Sequence, residues 1–372
     1  LLNVVIASLT TLPRIVSSLD ADAAKSATAE HGLVARAALD AGVSADNIHS
    51  LRLKWVFGLP GEDQPRAQPA VVSGRLFVGN KAGAIYSLDA KSGCTYWTYL
   101  PRNGVRSALS VGPINLPEGG DGYAVFFQDL RGNVYAVNAQ NGEEIWVSRV
   151  EDHPGVRGTG SVTLFEGNLY VPSAGVVEET NSSGPDYPCC TFRGSVAALN
   201  ATDGSVFWNS FVIPEASHET GEINSAGAKR MAPAGAPVWN SPTIDTKRGL
   251  LYVGTGEGYT SPATKTSDAV IAMRLDDGGI VWSQQLLAGD AWNMACFIGG
   301  GGNCPEENGP DLDIGASTIL WQGKQRDLLL VGQKSGDVYA LDPSAGGQTV
   351  WHKKLGRGGY AGGVHWGMTA NK

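Results

Sequence analysis

Five times the chain runs a short, mainly apolar stretch into a polar turn and out into a second stretch that closes on tryptophan. The copies are GAIYSLDAKSGCTYW ending at Trp97, GNVYAVNAQNGEEIW at Trp146, GSVAALNATDGSVFW at Trp208, DAVIAMRLDDGGIVW at Trp282 and GDVYALDPSAGGQTVW at Trp351. Short β-patterned arms around a turn of Asp, Asn, Lys, Ser and Gly predict a β-hairpin. Asp89, Asn138, Asn200 and Asp342 stand where a short polar side chain can bond the turn's own backbone. Gly93, Gly142, Gly204 and Gly278 can take a positive φ at little steric cost. Two further strand patterns precede the hairpins, as in PAVV before GRLFVGNK, SVTLF before NLYVPS, PTID before GLLYVGTG and STIL before DLLLVGQK. Four strands per repeat make a propeller blade, so the predicted fold is all-β, an array of four-stranded antiparallel blades with the tryptophans filling the space between neighbours.

The tryptophans are separated by 49, 62, 74 and 69 residues. A propeller repeat needs about 40, so the later blades carry insertions, chiefly at residues 173–194, 254–268 and 287–315. Insertions on one face of such an array are where a site is built. LRLKW, ending at Trp55, reads as the closing strand of a further repeat, and GGVHWGMTANK as the opening of another. The expectation is five complete blades cut from a larger ring, since an unpaired edge is something a native monomer normally covers. Residues 51–372 are assigned to the propeller and 1–50 to a poorly packed leader, with a helix near AEHGLVARAAL.

Composition narrows the function classes. Fifty glycines and only 17% charged residues fit many tight turns and strands buried on both faces. A net charge of −8 with no basic run argues against a nucleic-acid partner. No stretch reaches the roughly 18 apolar residues of a membrane span. The opening LLNVVIASLTTL reads either as the tail of a secretory hydrophobic region or simply as where the sequence begins.

Five cysteines lack both CxxC and CxxCH spacing, so neither a zinc ribbon nor an attached haem is indicated. Cys296 and Cys304 bracket the flexible FIGGGGN and are expected to form a disulfide. Adjacent Cys189 and Cys190 permit a vicinal disulfide or two separate partners, and Cys94 reads as a buried thiol. Sequons at Asn181 and Asn200 agree with a secreted or periplasmic chain.

The repeat G-x-h-Y-A-L-D-x-x-x-G-x-x-x-W resembles the tryptophan-docking motif of pyrroloquinoline-quinone (PQQ) propellers. YPCCTFRGSVAALN, GLLYVGTGEGYTSPATKTSDAV, GDAWNMAC, NCPEENGPDLDIGAS, GQKSGDVYALDP and GGVHWGM resemble the polyvinyl-alcohol-dehydrogenase branch of the quinoprotein alcohol dehydrogenases, over roughly residues 50 to 372. The resemblance implies an eight-bladed parent that holds PQQ and Ca²⁺ near its axis, oxidises secondary or polymeric alcohols and passes electrons to an external cytochrome c. A non-catalytic scaffold or a polymer- or sugar-binding module is the alternative.

The resemblance also implies site residues. Glu178 or Glu179, before CCTFRG, stands near the family's glutamate metal ligand, and Glu257 replaces the asparagine of its GTGN. Trp239 resembles the tryptophan lying against one face of the quinone. The Cys189–Cys190 pair is a candidate cap for the other face, although it sits in a different blade from the family's pair. Arg106 and Lys334 would face the quinone's carboxylates and oxygens, with Thr159 and Ser173 as neutral donors. The family's base is an Asp directly after Trp in D-x-W-D, where this chain has Asn293. An amide cannot take up the proton, so Asp290 is the expected base, with Asp313 behind it and Asp311 as another carboxylate in reach.

Overall fold

A computed structural model describes residues 4–6, 44, 46–62, 65–297 and 302–370. The predicted leader helix lies outside the described residues. Strand β1 (Val4–Ile6) pairs antiparallel with β2 (Val56–Gly58). Five four-stranded antiparallel sheets follow. They are β3–β6 (Ala70–Val72, Arg75–Asn80, Ala84–Asp89, Thr95–Tyr99) and β7–β10 (Ser110–Asn115, Asp121–Gln128, Asn133–Asn138, Glu144–Arg149). Next come β11–β14 (Thr163–Phe165, Asn168–Ser173, Ser195–Asn200, Val206–Phe211) and, after an inserted hairpin β15–β16 (His218–Ile223, Lys229–Ala232), β17–β20 (Thr243–Asp245, Leu250–Gly254, Ala269–Arg274, Ile280–Gln285). The last blade is β21–β24 (Ile319–Gln322, Asp327–Gly332, Asp337–Asp342, Gln348–Lys354).

The hairpin turns form as the sequence predicts. Oδ1 of Asp89 accepts the Ser92 amide at 2.6 Å, and Asn138, Asn200 and Asp342 accept the amides two residues on at 2.8 Å. The turn glycines do more than relax the backbone. Gly204, at φ +72°, lies so close under Trp146 that a Cβ there would stand 2.6 Å from the indole. Each tryptophan thus docks on the turn of the next blade: Trp55 on Gly93, Trp97 on Gly142, Trp146 on Gly204, Trp208 on Gly278 and Trp282 on Gly347. The first four indoles also donate to a carbonyl there, on Ala90, Ala139, Ala201 and Leu275.

A second interblade repeat runs along the inner strands. Hydroxyls of Ser161, Ser241 and Ser317 each accept the amide of the equivalent position one blade earlier, on Ala108, Ser161 and Ser241, all at 3.0 Å. The hydroxyls of Ser110, Thr163 and Thr243 donate to the next blade's carbonyls on Val162, Pro242 and Thr318. One polar bond of each kind per interface fixes the rotation of blade on blade, while the apolar clusters between blades supply the attraction.

Four expectations are corrected. LRLKW is not a strand: residues 51–55 are irregular and the strand is Val56–Gly58, because β1 is its partner, although Trp55 still docks as a closing tryptophan does. GGVHWGM forms no strand among the described residues; His365 and Trp366 pack instead on Trp239. Cys94 is exposed, not buried, since it ends the turn before β6. Trp351 is 43% exposed, with no following turn glycine among the described residues to receive it.

In an up-and-down blade the link from second to third strand and the link to the next blade emerge on one face, and the two hairpin turns on the other. Residues 174–194, 212–242, 255–268 and 286–318 are all links of the first kind. Every large insertion therefore stands on the same face.

Candidate axial site

Two adjoining cavities of about 480 and 240 Å³ open along the axis and share Arg66, Arg106, Thr159, Trp239 and Trp366. The larger is walled by the inner-strand serines and small residues, among them Ser107, Ser161, Ser241 and Ser317. Into the smaller project Glu179, Glu257, Asp311, Asp313, Lys334 and His365. Gly315 makes the arrangement possible, since a Cβ there would enter the Trp239 ring.

Three carboxylates, of Glu257, Asp311 and Asp313, each bring an oxygen within 4.8 Å of the others. Lys334 Nζ bridges two of them, at 2.6 Å from Asp311 Oδ1 and 2.9 Å from Asp313 Oδ2. Asp313 Oδ2 also accepts the Trp239 indole N–H at 2.9 Å, and its Oδ1 the Glu257 amide at 3.2 Å. Burial pushes Asp313 up, but Lys334 and hydrogen bonds from Glu257 and Asp311 outweigh it and hold the carboxyl below its usual range. The proton burden falls on its neighbours. Burial, then the charge of Asp313, raises Glu257 well above the carboxylate range, Asp311 to about 9 and Glu179 to about 7. Burial disfavours the Lys334 ammonium, yet Asp313 and Asp311 more than offset this and raise it. Asp313 is thus charged against Lys334, Glu257 and Asp311 favour their neutral forms, and Glu179 is poised near neutral pH.

The glutamate pair divides by position on helix α1 (Val176–Asn181). Glu179 faces the cavity. Glu178 points the other way, fully buried, and accepts from the Thr191 amide at 2.9 Å, the Phe192 amide at 2.5 Å and the Tyr187 hydroxyl at 3.0 Å. It ties the helix to the CCTFRG segment.

Several other predicted site residues lie away from the cavities. Asp290 is fully buried, and its carboxylate accepts the amides of Asp311 at 3.1 Å and Leu312 at 2.9 Å. That grip presents the acidic loop to the axis. Asn293 is likewise spent on structure, donating to the carbonyls of Tyr259 and Asn303 and accepting from the Ser182 hydroxyl and the Ala295 amide. Ser173 ends β12, where its carbonyl accepts the Val238 amide. Cys189 and Cys190 form a vicinal disulfide, buried in a cluster with Val156, Phe192, Ala234 and Tyr259 and not lining either axial cavity. Cys296 and Cys304 are disulfide-bonded, as expected.

Arg66, His365 and Trp366 were not foreseen. Trp366 stacks on His365 with 4.3 Å between centroids and meets Trp239 edge-on at 5.7 Å, with the Arg66 and Arg106 guanidinium groups 5.8 and 5.7 Å from its ring. GGVHWGM carries the signal for His365 and Trp366, which a strand reading of that segment hides.

The site fits a flat, anionic cofactor beside a hard cation. Arg106 is largely buried with no carboxylate partner among the described residues, and burial together with the charges of Arg66 and Arg157 lowers it to about 10. An anion would relieve it. The hydroxyls of Thr159 and Ser107 are buried, have no hydrogen-bond partner among the described residues and line the cavities. All-oxygen acidic donors suit a hard cation such as Ca²⁺, and the Trp239 indole supplies an aromatic wall.

A tryptophan-docked propeller with this acidic, aromatic-walled pocket defines the class: a blade-repeat β-propeller with a cavity among its insertions. The family model for the PQQ glucose/ethanol/alcohol dehydrogenase β-propeller domain matches residues 37–297, and the chain belongs to that family. It is 39% identical to a polyvinylalcohol dehydrogenase of Pseudomonas sp., covering 89% of this chain and 51% of that protein. It is 38% identical to one of Sphingopyxis sp. (strain 113P3), covering 87% and 49%. The chain spans about half the length of these curated relatives. Among solved structures, the quinohemoprotein alcohol dehydrogenase of Comamonas testosteroni aligns with a TM-score of 0.60 at 21% identity, over 84% of this chain and 46% of that one, which bears on the fold.

Proposed function

We propose that the protein is a PQQ- and Ca²⁺-dependent alcohol dehydrogenase that oxidises secondary alcohols, polymeric ones included, to ketones and delivers the electrons to an external acceptor such as cytochrome c. The observation that carries this reading is the convergence of Arg106, Thr159, Trp239 and Lys334 with four carboxylates in one axial cavity. When bound, the quinone supplies a two-electron oxidant and the cation a Lewis acid. Glu179, Glu257 and Asp313 are the residues that would hold the cation, Trp239 the flat wall, and Arg106 with Thr159 the donors for the cofactor's acid groups. Lys334, already 5.5 Å from the centre of the Trp239 ring, stands ready to donate beside it.

Asp311 is the proposed base. It lines the cavity, Lys334 and Asp313 engage its carboxylate, and once ionised beside a bound cation a carboxyl raised to about 9 is basic enough to take up the proton of an alcohol hydroxyl. Asp313, anchored by Trp239, Glu257 and Lys334, is better fixed as a ligand than as a proton carrier. Asp290 positions Asp311 through its backbone. The disulfides accord with a secreted or periplasmic location, and among the described residues no helix is long and apolar enough to cross a membrane.

The test adds PQQ and Ca²⁺ to the protein and follows dye-linked oxidation of isopropanol together with the quinone's absorbance. Binding and reduction of the quinone are expected. A quinone that neither binds nor is reduced refutes the reading.

A further inference from the structure

A third cavity, of about 300 Å³, lies outside the axial site. Its walls come from separate insertions: the β15–β16 hairpin, the Cys189 segment, residues 259–262 and residues 303–307. These walls are braced. Asn303 donates to the carbonyls of Ser182, Gly184 and Tyr187 and accepts from Asn224 of the hairpin link at 2.9 Å. The Cys296–Cys304 disulfide closes its loop, and Ser261 and the Ala263 amide hold Glu307. A cleft already ordered loses little entropy on binding.

The lining indicates the ligand. Glu222 and Arg230 of the hairpin and Glu306 of the 303–307 segment line it, and neither Glu222 nor Glu306 makes an ion pair among the described residues. Among the described residues, the group of three carboxylates close enough to share a cation is the axial one. The cleft's acidic excess disfavours an anion. Between the polar groups lie Met231, Ala232, Pro262 and the Cys189 disulfide. A lining that mixes hydrogen-bonding groups with apolar ones suits a neutral chain of hydroxyls and methylenes.

Position links this cleft to the axis. One loop serves both sites: Glu257 faces the axial cavity and residues 259–262 line the cleft, with buried Tyr259 as the partition. Both stand on the face that carries the insertions. We infer that this outer cleft is a docking subsite for a polyhydroxylated chain, holding one part of a polymer while another part reaches the axial site. The inference rests on the alcohol-oxidation reading.

The test compares the protein with Thr220→Trp, which fills the cleft from an exposed strand position, and with Glu222→Gln. Titration calorimetry of the cofactor-free chain with polyvinyl alcohol should show binding that Thr220→Trp weakens about tenfold and Glu222→Gln severalfold. In the loaded enzyme, KM for polyvinyl alcohol should rise in step while kcat and KM for isopropanol hold. No polymer binding by the parent protein, or equal effects on polymer and isopropanol, overturns the subsite. Loss of all oxidation with polymer binding intact overturns the enzymatic reading and leaves the cleft standing.

Discussion

The indole N–H of Trp239 donates to Oδ2 of Asp313 at 2.9 Å, so the aromatic wall of the axial pocket and its most firmly ionised carboxylate are one unit. Trp239→Phe keeps a flat ring but removes the donor, a loss of about 1 kcal/mol. Quinone binding, followed by absorbance, should weaken by about fivefold. Trp239→Ala removes the wall as well and should abolish detectable binding. Equal, small effects of both substitutions would show that the quinone does not lie against this ring.

Adjacent glutamates on α1 should behave oppositely. Glu178→Ala leaves buried amides of Thr191 and Phe192 without an acceptor and should cost about 3 kcal/mol in denaturant unfolding. Glu179→Gln should leave the unfolding midpoint in place and weaken Ca²⁺ binding in calorimetry. A reversed pattern would put the metal on the other glutamate.

The same contrast separates Asp290 from Asp311. Asp290→Asn loses an acceptor for one of two backbone amides and should destabilise the fold by about 1–2 kcal/mol, with activity falling in proportion to the loosened loop. Asp311→Asn should keep the fold and the bound quinone yet lose turnover by at least about a hundredfold. Turnover retained in Asp311→Asn would move the base elsewhere.

Acidity ties the metal to pH. Glu179 is raised to about 7 and Asp311 to about 9, so the metal-free folded chain holds these protons more tightly than the unfolded chain does. Its stability is therefore greatest below the ordinary carboxyl range near pH 4 and declines as pH climbs toward these values. Cation binding has the opposite sign, because the ligands must shed protons first. Calcium affinity should rise about tenfold or more between pH ~6 and ~8. A flat profile would mean that the carboxyls are already ionised.

The interblade joint offers a fifth test. Trp146→Ala should cost about 3–5 kcal/mol by emptying the space over the next turn. Gly204→Ala places a methyl 2.6 Å from that indole at φ +72° and should cost about 1–3 kcal/mol, measured in the same unfolding series. A neutral Gly204→Ala would mean that the indole can move off the turn.

The sequence by itself determined the blades. Hairpin arms, turn residues and closing tryptophans are local patterns, each set by the period of a strand or the needs of a four-residue turn. They repeat often enough to remove ambiguity. The GTGE, DLD, VWN and GQK segments marked Glu257, Asp313, Trp239 and Lys334 through their resemblance to the family's motifs. Only the tertiary structure decided which of Glu178 and Glu179 faces the axis, since neighbours on a short helix point in different directions. It also gave Asp290 and Asn293 to backbone hydrogen bonds, sent Trp366 into the pocket, and made the outer cleft from segments more than a hundred residues apart. Those outcomes depend on how insertions from different blades meet on one face, and no local pattern encodes that meeting.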